Sequence, residues 1–267
     1  MRHGSRILFL VTGFLFSSVV GQAREPRVDL SDKMGPVRAQ GNIRNTCSAF
    51  GATALMEFLL TERDGFSPVL SEQWAYYAAK KFGLTTPQLR EYYQDNEGMA
   101  GFLAVEAYAK AGAMEARAWP YELDNGASRG EKACQGTNAT RECFTGTPPR
   151  GAGTLANFSI STQAIEREQI ADFIMHERRP VVVNVMWYFE AAPASGDLRF
   201  PTRAEVSACR ARQEGCGGHV ILLTGYDPAL GRFLFRNSWG PEWGSQGYGT
   251  LPARFVTNYC EGCDSLT

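Results

Sequence analysis

No surplus of either charge runs through this sequence: 27 Lys and Arg stand against 28 Asp and Glu over 267 residues. Nucleic-acid or membrane-surface binding would call for a basic excess or patch, so neither partner is expected. Beyond residue 23 no stretch approaches the roughly 18 to 20 consecutive apolar residues of a transmembrane helix. Histidine is scarce, with three in the chain, so a general base has few candidates. Cysteine is absent from 48 to 133, which leaves Cys47 alone in the first half. There are no internal repeats.

What is present begins with a segment of different material. Arg2, His3 and Arg6 precede the apolar run ILFLVTGFLFSSVV, and Gly21 and Ala23 offer small residues at −3 and −1 of a cut after Ala23. Residues 1–23 therefore read as a cleavable signal peptide, with an uncleaved anchor as the alternative. The remainder is expected to be exported, secreted or periplasmic, free of the membrane once cut, and monomeric. In an oxidising compartment the other six cysteines point to disulfides. Their spacing suggests Cys134–Cys143, Cys209–Cys216 and Cys260–Cys263, among the 15 pairings that six cysteines allow. A zinc site built on the C-x-x-C at 260–263 competes, but no second close Cys/His pair accompanies it. No metal or cofactor is expected.

At 44% hydrophobic, the chain can build one large domain or two lobes. Residues 24–39 look extended. Asn45 and Thr46 are good N-cap residues ahead of Cys47, and Phe50, Ala54, Leu55, Phe58 and Leu59 recur at helix spacing as one buried stripe. Ser71 caps a second helix with Trp74, Tyr77, Ala78 and Phe82 along one face. A third spans 99–111, with Phe102, Val105 and Ala109 inward and Gly112 as its stop. Residues 120–160 read as a surface insertion, and Asn138 and Asn157 head sequons that matter only in a eukaryote. A further helix is expected over 162–178. Then the period changes: Val181–Trp187, His219–Tyr226, Arg232–Asn237 and Gly247–Leu251 are strand-like, with a second insertion at about 190–215. Helices followed by strands imply an α+β protein with a cleft between two lobes.

A thiol in the first turn of a helix sits where unpaired N–H groups and the helix dipole favour the thiolate. His176 ends a helix in MHERRP, an ordinary place for a surface histidine. His219, after Gly217 and Gly218 and before VILLTGY, is the credible base for Cys47. Eighteen residues on comes FRNSWGPEWGSQGYG, with Asn237, Trp239 and Trp243.

Gln and Cys before a helix, Gly-His on a strand, then Asn-Ser-Trp-Gly: this ordered set resembles the papain family of cysteine peptidases over nearly all of residues 34–252. The resemblance implies a helical left lobe (about 40–120) against a β-barrel-like right lobe (about 150–255) in a domain of 24–267. It implies that Cys47 attacks the scissile carbonyl, that His219 is the acid/base, and that Asn237 holds the imidazole while Trp239 shields that bond and faces substrate. Gln40 and the Cys47 N–H would receive the oxyanion. Gly98, in DNEGMAG, resembles the glycine that pairs with substrate backbone. Peptides or proteins would be substrates, and a protein inhibitor a second partner.

The pattern also departs from the family. Gln40 precedes Cys47 by seven positions where the family has six. Ser48 stands in place of a Trp, and Arg44 and Asn45 stand where a half-cystine usually lies. The Cys–His interval exceeds the usual one of about 130–150, as two insertions would make it. Residues 24–39 are too few for the family's inhibitory pro-domain. Two other readings stay open: an inactive papain-fold protein that binds peptides or a partner, favoured by the altered Gln40–Cys47 loop, and a Cys–His amidase or transglutaminase. No paired histidines of a carboxydipeptidase occluding loop are present.

Overall fold

A computed structural model describes residues 26–65, 67–126, 129, 134, 141–151, 161–211 and 215–266. The proposed signal peptide and both sequons lie outside the described residues. The helices are α1 (Cys47–Asp64), α2 (Glu72–Ala78), α3 (Pro87–Tyr93), α4 (Gly101–Ala111), α5 (Arg141–Thr145), α6 (Ile170–Glu177), α7 (Arg203–Arg210) and α8 (Ala253–Tyr259). The strands are β1 (Val28–Asp29), β2 (Thr162–Ala164), β3 (Val181–Tyr188), β4 (Cys216–Asp227), β5 (Arg232–Arg236), β6 (Tyr248–Pro252) and β7 (Cys260–Leu266). They form one antiparallel sheet ordered β2-β7-β3-β4-β5-β6, with β1 added on β4. The α+β class and the helix-then-strand order follow the expectation.

Alternation along β3 and β4 divides the core in two. Val182, Val220 and Leu222 join the helical cluster of Leu55, Trp74, Leu103 and Tyr108. Val183, Val185, Trp187 and Ile221 face the other way, against Phe235 and Phe255. Helix α1 lies against the sheet on one side and the helical layer on the other, so it is buried nearly all round from Ser48 to Phe58 rather than along one stripe. Gly51 lets it approach, since a Cβ there would stand 3.4 Å from Val220. Gly65, in the left-handed region at φ 72°, ends the helix by donating to Thr61 O.

Several local expectations are corrected. Thr46 holds the N-cap position of α1, but its side chain makes no cap bond; its hydroxyl is taken by Tyr121 Oη at 2.7 Å. Ser71 does cap α2, accepting from Trp74 N. A π-turn at 79–83 then changes the angular step, turning Phe82 outward at 42% exposure and Lys80 inward. Helix α4 begins at Gly101, with Phe102 and Ala109 half-buried and Val105 fully buried. The stretch 162–178 is not one helix: Thr162–Ala164 pairs with β7, and only Ile170–Glu177 is helical. Neither insertion is irregular throughout, for α5 lies in the first and α7, with a Thr202–Glu205 capping box, in the second.

The three neighbouring cysteine pairs are all bonded, Cys134–Cys143, Cys209–Cys216 and Cys260–Cys263, and Cys47 is the free thiol. The C-x-x-C is thus a disulfide rather than half of a zinc site. Among the described residues no helix is long and apolar enough to cross a membrane.

Candidate active site

The N-terminus of α1 and the start of β4 meet along a cleft of about 570 Å³. Cys47, His219, Gln40, Gly98 and Trp239 all line it. Asn237, at the end of β5, is buried behind His219 and reaches it at 2.8 Å, Oδ1 to Nε2. Its orientation is fixed by a second bond, since Ser238 N–H also donates to Oδ1 at 2.8 Å. A flipped amide would turn two donors against each other. Oδ1 can only accept, so Nε2 carries the proton and Nδ1 of the neutral ring keeps its lone pair. His176, by contrast, is exposed on α6, away from the cleft lining.

Two indoles wall the imidazole. Trp239 stacks on it with centroids 4.9 Å apart, and Trp187 meets it edge-on at 4.9 Å. In the sequence Trp187 marks only the end of a strand, yet β3–β4 pairing places it opposite Gly217, two residues along from the Val185–His219 pair. The register, once known, gives away that Trp187 stands beside His219.

Burial dominates the electrostatics. Desolvation pulls His219 down to about 4, against the opposing pull of its Asn237 bond. Desolvation pushes the Cys47 thiol up, opposed by the backbone N–H groups of Val220, Ser48 and Cys47 itself. Taken singly, each group is therefore neutral near pH 7. No hydrogen bond joins Sγ to the ring, but Val220, whose N–H reaches the sulfur, directly follows His219. Moving the thiol proton to Nδ1 creates both charges at once, and their mutual attraction offsets part of the burial cost.

Gln40 is held at both ends of its amide. Ser238 Oγ donates to Oε1 at 2.7 Å, and Nε2 donates to Arg44 O at 2.8 Å. A carbonyl only accepts, so the amine end is identified, on a side chain that lines the cleft. Between Gln40 and Cys47 the backbone passes through Gly41 (φ 76°) and bends at Asn42 and Ile43, both exposed. Gly98 is already engaged within its own loop: its N–H donates to Asn96 Oδ1 at 3.1 Å. Lys80, buried and lowered to about 8 by desolvation, donates to the carbonyls of Tyr93, Asn96 and Gly98 and so pins that loop from beneath.

Comparison with known proteins bears on this arrangement. The family model described as papain family cysteine protease matches residues 24–264. Xylellain, a cysteine protease from Xylella fastidiosa, superposes with TM-score 0.64 at 22% identity, covering 91% of this chain and 85% of its own. The bromelain protease from Ananas comosus, solved with the inhibitor E64, gives 0.58 at 20% identity over 90% and 98%. An uncharacterized peptidase C1-like protein of Acanthamoeba polyphaga mimivirus is 30% identical over 53 residues, 20% of this chain and 17% of that protein. Below 25% identity the solved structures speak for the fold; the family model, spanning most of the chain, speaks for descent. This chain belongs to the papain family of cysteine proteases, and its enzyme class is that of a cysteine-type peptidase.

Proposed function

We propose that this chain is an exported, active peptidase that cleaves peptide bonds through Cys47 and His219. The observation that carries the reading is the tautomer: with Asn237 holding Nε2–H, Nδ1 is the free base of a cleft that also holds the thiol. Cys47 Sγ gives its proton to Nδ1 and attacks the scissile carbonyl carbon, whose π pair moves to oxygen. Gln40 Nε2–H and the Cys47 N–H, at the helix start, receive that oxyanion. Collapse expels the amine, which takes the proton from His219 and leaves a thioester. Water, deprotonated by the same ring, hydrolyses the thioester. Trp239 and Trp187 keep solvent from the His219–Asn237 bond. Export is supported by residues 1–23 and by the three disulfides. The protein is further taken to act as a monomer on peptide or protein substrates, open to a protein inhibitor.

The test is labelling of the non-reduced protein with a peptidyl epoxide, followed by peptide mapping and assay of peptide hydrolysis. Sγ should open the epoxide at Cys47 alone, with activity lost in step. Label on another cysteine, or hydrolysis that survives full labelling of Cys47, would overturn the assignment. A protein that labels there but cleaves no peptide is a binder with a relic site.

The pH profile follows from burial. Protonating His219 removes the acceptor for the thiol proton, so kcat/KM should fall as pH drops through about 4. Its alkaline limb should lie above the ordinary thiol value of 9.0, because Cys47 is raised. An acid limb near 6.5, where a solvated histidine titrates, would mean that the ring is not buried in the working enzyme.

A further inference from the structure

Arg44 is among the largest fully buried side chains of the protein, 1% exposed, in the short loop between Gln40 and Cys47. Charged groups are almost never buried so completely unless paired, and this one is paired on every side. Its Nη1 donates to Gln73 Oε1 at 2.8 Å and to Glu122 O at 2.7 Å, and its Nη2 to Phe144 O at 2.9 Å. Nε faces Glu97 Oε1 at 3.4 Å. The guanidinium lies 5.1 Å from the ring centres of both Tyr76 and Tyr121. One planar cation therefore binds α2, the Glu97 loop, the 121–122 segment and the end of α5 to the loop that carries the nucleophile.

Glu97 completes the link. Its other oxygen, Oε2, accepts from Asn45 N at 3.1 Å, two residues before Cys47, and Asn125 Nδ2 donates to the Oε1 that faces Arg44. The next residue in the chain is Gly98 of the cleft wall. Tyr121 adds a parallel tie, donating to Gln40 O at 3.0 Å. Above all, the Arg44 carbonyl is the acceptor that turns the Gln40 amide the right way round. The anchor of the guanidinium therefore bears on where Gln40 Nε2 points, together with Ser238 at the other end of the amide.

We infer that Arg44 is a positioning residue of this site: paired with Glu97, its guanidinium locks the Gln40–Cys47 loop to the Gly98 wall and so holds the Gln40 donor at the oxyanion position. It occupies the part of the chain where no cysteine is available to fasten the loop, and it fastens it by charge and hydrogen bonds instead. The inference rests on the peptidase reading of the same cleft. A lysine cannot replace it, since a single ammonium cannot span the four acceptors that the planar fork reaches.

The experiment is a mutant cycle on the full protein, with kcat and KM for a generic peptide and the rate of Cys47 alkylation by iodoacetamide. Alkylation passes through no oxyanion and reads the thiol alone. Arg44→Met is expected to lower kcat about 30- to 100-fold with iodoacetamide alkylation changed less than about threefold. In a Gln40→Ala background the same change should cost less than about threefold more, because the donor it positions is already gone. Arg44→Lys should recover only part of the loss. Should Arg44→Met fail to fold, Glu97→Gln, which keeps the shape and removes the charge, carries the test with an expected loss of about tenfold. Equal losses in both backgrounds, alkylation that falls in parallel with hydrolysis, or kcat within threefold of wild type would each overturn the inference. If the wild type itself cleaves no peptide, the peptidase reading fails separately. The affinity for a peptide aldehyde, whose carbonyl carbon bonds Sγ while its oxygen gains the proton, then reads the same cycle without turnover.

Discussion

Replacing His219 by alanine is expected to lower kcat/KM for peptide hydrolysis about 10⁴-fold or more, while His176→Ala leaves it within about twofold. General acid–base groups are worth about 10² to 10⁴, and a residue that also activates the nucleophile sits at or beyond the upper end. His219 does both jobs in the proposed mechanism. It takes the proton of a thiol that burial holds neutral, and it returns that proton to the leaving amine. His176 is exposed on α6 and touches none of the site. Asn237→Ala should fall between the two, since it frees the ring to turn without removing the base. Alanine leaves a hole between Trp187 and Trp239, so His219→Gln, which fills more of that space, is measured beside it with circular dichroism. Losses of equal size from His176→Ala and His219→Ala would mean that the wrong base has been chosen.

How much of this could be read from the sequence depends on how local the cause was. The four strands rich in branched and aromatic residues announced themselves, because burial on both faces of β3 and β4 leaves near-continuous apolar runs. Strand β7, CEGCDSL, carries no such run; it is a strand because β3 and β2 supply hydrogen-bond partners. Helix α3 carries a local signal, Thr86 as cap with Pro87 in the first turn. Phe82 departs from the 3.6-residue period because a π-turn intervenes.

The site divides the same way. Cys47, His219, Asn237 and Gln40 were found through a motif, and all four converge. Their supports were not legible, since each acts across a long sequence distance. Trp187 needs the β3–β4 register, Ser238 reaches back to Gln40, and Arg44 gathers partners from residues 73 to 144. A charged residue in a loop reads as solvated until the fold buries it.

The Gln40→Ala substitution tests the loop in which this chain departs from its family's Gln–Cys spacing. An oxyanion donor must lie about 2.7–3.1 Å from the oxygen it stabilises, while one extra residue can add up to about 3.3–3.6 Å of chain. Placed along the Gln40–Cys47 direction, that length would carry the amide out of reach. Here the loop between Gln40 and Cys47 bends out into solvent. Gly41 adopts φ 76°, Asn42 and Ile43 bend into solvent with Ile43 58% exposed, and Arg44 turns back inward. Gln40 N–H still donates to Ser238 O at 2.8 Å, Ala39 still pairs with Trp239, and both ends of the Gln40 amide are held. Loss of the side chain should therefore cost kcat about 10² to 10³, with KM little changed, because the bond strengthens only as charge reaches the oxygen. Alkylation of Cys47 by iodoacetamide should stay within about threefold. Gln40→Glu should cost at least as much as alanine, since a carboxylate offers no donor and repels the oxyanion. A fall in kcat under about threefold for Gln40→Ala, in an otherwise active protein, would remove Gln40 from the oxyanion site and leave the Cys47 N–H to hold it alone.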